Sequence, residues 1–172
     1  MKKIFLLITM LTFILCSCTT YTSLKTTQIV QFKKDIMSEF KQVSSITTKF
    51  SVPIIYFNYK LKNGSSENDM INIFYSTKEL VQKEDFQKEI LDTYFKKYPT
   101  EKSGNKYYPD IYITFDFDNN NDIEFEFTSS YYTKPTIKNK NTEVDMYKTW
   151  VYRDLKKDET KTITQPSAKP IQ

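Results

Sequence analysis

The chain has 172 residues, with 25 Lys+Arg against 21 Asp+Glu, a formal net charge of +4, no His, two Cys and two Gly. With no His, and with Cys16 and Cys18 the only thiols, everything after residue 18 lacks Ser-His-Asp chemistry, a His/Cys metal centre and any disulfide. Gly64 and Gly104 stand alone in polar stretches, which excludes a glycine-rich phosphate loop.

Lys2 and Lys3 precede an apolar run from Ile4 to Leu15, interrupted by Thr9 and Thr12. A membrane-spanning helix needs about 20 apolar residues, so this run is the short core of an export signal. Leu15-Cys16-Ser17-Cys18 follows and resembles the lipobox of bacterial lipoproteins. The resemblance covers only these eighteen residues. It implies that residues 1–17 are a lipoprotein signal peptide and that Cys18 is acylated as the first mature residue. The protein is then expected in the cell envelope, lipid-anchored to a bacterial membrane. Lys2 and Lys3 are the only charges of the signal, so the remainder holds 23 Lys+Arg against 21 Asp+Glu, or +2. Nucleic-acid binding calls for a concentrated basic face, and none is expected here.

Residues 18–25 read as a polar tether, 26–155 as a single domain, and 156–172 as a polar tail that frays. In residues 27–43, Ile29, Phe32, Ile36, Phe40 and Val43 recur at helical spacing. Residues 44–49 read as a polar link. Ile55, Phe57, Tyr59 and Leu61 alternate as in a strand, and Asn63-Gly64-Ser65-Ser66 signals a turn. Met70–Tyr75 is rich in β-formers and predicts a second strand. Ser76-x-x-Glu79 matches a capping box. It opens a helical stretch over 77–98, either unbroken or restarted near Glu84, with Phe86, Ile90, Leu91, Tyr94, Phe95 and Tyr98 as its stripe.

Ile111, Ile113, Phe115 and Phe117 alternate, and Ile123, Phe125 and Phe127 repeat the pattern after Asn119-Asn120-Asn121-Asp122. These runs predict a hairpin with all seven apolar side chains inward. Residues 133–141 read as a loop, and 144–153 as a last strand containing Trp150. The predicted fold class is α+β: an antiparallel sheet of about five strands with two helices on one face, in the order αββαβββ. This element order resembles the cystatin-like and nuclear-transport-factor-like curved-sheet folds, which implies a cone or groove and no particular function.

Two constellations carry candidate chemistry. Asp116, Asp118, Asn120 and Asp122 begin like a calcium loop, but Asn121 stands where glycine is wanted and Phe127 where a bidentate Glu is wanted. They are read as a turn, with no metal or cofactor expected. Asp116 with Glu124 or Glu126 offers the paired carboxylates of a glycoside hydrolase, yet Glu124 is expected on the wet face and no enzyme is predicted. Thirteen Tyr and thirteen Phe are assigned mainly to the core, with a stacking platform for sugar or peptide as the alternative. The expected function is to bind or scaffold another envelope component. The alternative is a ligand-binding module for lipid, peptide or sugar. A filled core with an exposed aromatic patch favours the first, a deep apolar pocket the second.

Overall fold

A computed structural model describes residues 21–99, 108–133 and 142–163. The expected signal peptide, Cys18, the loop at 100–105 and most of the loop at 133–141 lie outside the described residues. The elements in order are β1 (Thr22–Ser23), α1 (Thr27–Glu39), β2 (Val43–Ser51), β3 (Ile54–Leu61) and α2 (Glu67–Gln82). A helical segment α3 follows, built of Glu84–Phe86, a π-helical stretch Gln87–Leu91 and Asp92–Lys97. The chain continues with β4 (Asp110–Asp116), β5 (Phe125–Ser129), β6 (Trp150–Asp154) and β7 (Glu159–Ile163). All seven strands form one sheet in chain order. Every neighbouring pair is antiparallel except β3 and β4, which run parallel. Parallel neighbours need a crossover of a dozen or more residues, and α2 with α3 supplies it. The fold is thus α+β with a mostly antiparallel sheet, and the described residues form seven strands and three helical segments where about five strands and two helices are expected.

All three helical segments lie on one face. Phe57, Ile113 and Phe127 stand in one cross-strand row and are fully buried. Phe32 of α1 and Phe86 of α3 meet Phe57 at ring-centroid distances of 6.2 and 6.3 Å, and Phe74 of α2 stacks on Phe127 at 4.0 Å. Trp150 closes the cluster edge-on to Phe74. The hairpin therefore packs on α2 through Phe74.

The sequence misassigns five stretches. Met70–Tyr75 lies inside α2, whose N-terminus is capped by a reciprocal Ser66–Asp69 box. Ser76 is therefore mid-helix, and the next helix restarts at Glu84 after the extended Lys83. Residues 44–49 belong to β2, where Ile46, Thr48 and Phe50 point inward. Thr48 is a strand residue that replaces an apolar contact with a hydrogen bond, donated from its hydroxyl to the Leu24 carbonyl. Val144 makes only an isolated bridge with Tyr132, so the last predicted strand begins at Trp150. Finally, both expected ends give residues to the sheet. Thr22–Ser23 of the tether pairs with β2, and Glu159–Ile163 of the tail pairs with β6.

Candidate binding surfaces and the acidic loop

The face of the sheet opposite the helices carries its own ordered rows. Strand alternation sends every second residue there, and the registers align them. One row runs Lys49, Tyr56, Tyr112, Thr128, Val151, Thr162, and the next runs Thr47, Asn58, Thr114, Glu126, Arg153, Thr160. Tyr56 and Tyr112 pack edge to face at 5.5 Å and both remain half-buried. The ammonium of Lys49 sits 3.8 Å from the ring centre of Tyr21 and 5.4 Å from that of Tyr56, a cation–π arrangement that leaves the lysine stem along the rings. Thr114 donates to Asn58 Oδ1 at 2.9 Å. Arg153 pairs with Glu126 at 3.4 Å. Burial raises the Glu126 carboxyl above its ordinary range and Arg153 partly offsets the rise. Burial likewise raises both tyrosine hydroxyls.

A cleft of about 220 Å³ opens beside the middle of the first row, at Thr128 and Val151. Thr128, Ser130, Tyr132, Thr133, Asp145 and Val151 are among its lining residues. Asp145 is held there by Thr149, whose N–H and hydroxyl donate to its two oxygens at 2.9 and 3.0 Å. A ligand pocket for a drug-sized molecule has about 300–1,000 Å³, so this cleft is small.

The β4–β5 connection departs most from its sequence reading. Asn119 and Asn121 adopt left-handed backbone, with φ of 61° and 76°, as asparagine tolerates in tight turns. Asn120 donates from its backbone and its side chain to Asp118, and its own Oδ1 accepts from the Asp122 N–H. Asn120 and Asp122 thus build the turn, as the sequence reading has it. Asp116 and Asp118 are brought together with Glu124, which the calcium-loop pattern omitted. One carboxylate oxygen from each of the three lies within 4.8 Å of the other two.

Glu124 is 2 % exposed and Ile123 is 45 % exposed, the reverse of the expected pattern. The cause lies in the backbone. The Glu124 N–H donates to the Phe115 carbonyl at 3.0 Å, while Phe125 occupies the register position opposite Phe115. Two consecutive residues therefore answer one on β4, the count of a β-bulge, and the alternation that governs Phe125 and Phe127 breaks at Glu124. Its Oε2 accepts from the Phe117 N–H at 2.7 Å. Lys156 Nζ stands 3.2 Å from its Oε1, an ion pair without hydrogen-bond geometry. Asp116 is 5 % exposed. Its Oδ2 accepts from the Asn121 N–H at 3.0 Å and lies 3.8 Å from Lys60 Nζ. Lys60 in turn donates to Asn121 Oδ1 at 2.6 Å. Among the described residues no donor reaches Asp116 Oδ1, which is buried.

For hydrolysis, Asp116 and Glu124 would have to flank a substrate cleft. The two clefts described, at Thr128–Val151 and at Thr27–Lys96 between α1 and α3, are lined by other residues. No helix of the described residues is long and apolar enough to cross a membrane. The chain matches no family model, no curated protein and no solved structure.

Proposed function

We propose that this protein is a lipid-anchored component of a bacterial envelope, held through Cys18, whose domain binds or scaffolds another envelope macromolecule through the helix-free face of its sheet. The observation that carries this reading is the contrast between the two faces. The helix side is filled by stacked aromatic rings. The open side presents half-buried Tyr56 and Tyr112 between charged Lys49, Glu126 and Arg153. Aromatic and arginine anchors within a polar surround are the composition of protein–protein contact sites. The alternative, a ligand module on a cystatin-like or nuclear-transport-factor-like sheet, would need a hollow concave face. The small cleft beside Thr128 and Val151 favours it only for a small ligand.

The test is a photoreactive residue placed at Tyr112 in the full chain in cells, with one at exposed Lys34 of α1 as the control. A discrete adduct from position 112, absent from position 34 and lost when Tyr56 becomes Ala, supports the reading. Equal labelling from both positions, or no adduct from 112, overturns the assignment of the face. Mass spectrometry of the mature N-terminus tests the anchor separately. An acylated Cys18 supports it, and an N-terminus elsewhere refutes it.

A further inference from the structure

We propose that Asp116, Asp118 and Glu124 form a calcium site at the β4–β5 connection. The three carboxylates alone would mean little, because acidic loops are common on surfaces. The second observation is Asp116 Oδ1, a carboxylate oxygen inside a 5 %-exposed residue with no donor within reach among the described residues. A buried, unsatisfied polar oxygen in a folded protein calls for a partner such as a water or an ion, and Asp118 and Glu124 each bring a carboxylate oxygen within 4.8 Å of a carboxylate oxygen of this residue. A water would satisfy the oxygen alone, whereas a cation would also offset the repulsion among neighbouring like charges.

The charges around the site fit this assignment. Asp116 and Glu124 cannot leave, since the strand end and the bulge fix them, and backbone N–H groups hold the oxygens Asp116 Oδ2 and Glu124 Oε2. The lysines can. The side chain of Lys156 is 60 % exposed and that of Lys60 36 %, against 3 % and 7 % for the carboxylates they face, so each ammonium can turn to water while its partner stays in place. Lys60 also has Asn121 Oδ1 as a second partner. The ammonium groups are therefore displaceable counter-ions over a fixed acidic site.

Coordination chemistry selects the ion. Three carboxylate oxygens within 4.8 Å of one another can share one hard cation. Calcium accepts about six to eight oxygens in irregular geometry, whereas magnesium demands a near-ideal octahedron and gives up its water reluctantly. Asp118 is exposed, so water completes the coordination, as it does in calcium sites generally. Three carboxylates, one of them exposed, place the affinity at about 10⁻⁴–10⁻³ M, the range of extracellular calcium modules. Lys60 and Asp116 continue the open face one row beyond Asn58 and Thr114, so the ion would change the charge at one end of that face.

The experiment uses the full chain in detergent, stripped with chelator and titrated with calcium chloride by calorimetry and thermal melting. Magnesium chloride at matched ionic strength is the control. Calcium is expected to bind one to one and raise the melting temperature saturably, with magnesium giving little change. Asp116→Asn is expected to weaken calcium binding about tenfold or more, through loss of ligand charge. Lys156→Ala is expected to tighten it about two- to fivefold, by removing a competing surface ammonium. That second variant reads the site even if Asp116→Asn folds poorly. No calcium heat, equal shifts with magnesium, or an unchanged affinity in Lys156→Ala would overturn the site.

Discussion

Lys78 of α2 should make the protein more stable when its charge is removed. It is 3 % exposed, and among the described residues its Nζ is buried with no hydrogen-bond partner. Leaving a buried donor unsatisfied costs about 1–3 kcal/mol, and more when it is charged. Lys78→Met keeps most of the apolar stem and deletes the ammonium, so stability at pH 7 should rise by at least about 1 kcal/mol. For a chain of this size that is about 2–4 °C in melting temperature per kcal/mol. Burial lowers the Lys78 pKa from its ordinary 10.5, and Asp145 partly opposes the shift. Between the lowered folded value and the unfolded one, the unfolded chain binds more protons, so wild-type stability rises with pH across that window. The advantage of Lys78→Met should therefore be full at neutral pH and shrink as pH climbs toward 10.5. Urea denaturation of both proteins at several pH values measures the difference directly. A variant less stable than wild type, or an advantage that grows with pH, would refute the reasoning and mean that the ammonium is satisfied.

Glu124→Gln should destabilise by about 1.5–3 kcal/mol, the worth of hydrogen bonds to a charged group, read as a drop in the urea midpoint. A change under about 0.5 kcal/mol would return Glu124 to the wet face where the sequence puts it. Phe127→Ala should cost about 3–5 kcal/mol, because its ring is fully buried and stacks 4.0 Å from Phe74. A cost near 1 kcal/mol would mean that α2 does not pack on this row.

The legible parts of the sequence were those where one physical signal dominated. Ile55 to Leu61, and Ile111 to Phe115 with Phe125 and Phe127, alternate without interruption, and both runs are strands. The helix over 67–82 was hidden because Ile71 and Ile73 flank Asn72 and imitate a strand. The buried series Met70, Ile73, Phe74, Thr77, Val81 has helical spacing, but it passes through a threonine. That Thr77 hydroxyl donates to the Ile73 carbonyl and meets Tyr59 Oη at 2.6 Å, so a polar residue serves the core there. Strand β7 carries no periodic signal because four of its five residues are exposed, and an edge strand wet on both faces has no alternation to read. At the acidic loop, the turn was visible in its asparagines. The inward Glu124 was not, since a bulge is a property of pairing with β4 and leaves no periodic trace.

The pairing of Thr22–Ser23 with β2 sets a length scale for the proposed anchor. From Cys18 to Thr22 is four residues, a reach of at most about 14 Å when fully extended. A lipid on Cys18 would hold the β1 edge of the sheet against the bilayer headgroups. Six inter-strand steps of about 4.8 Å then carry the β7 edge about 29 Å along the sheet from that contact. The rows of the open face run along the same direction, from Lys49 near the tethered edge to Thr162 at the other. A partner reading those rows would meet a surface ordered by its distance from the membrane.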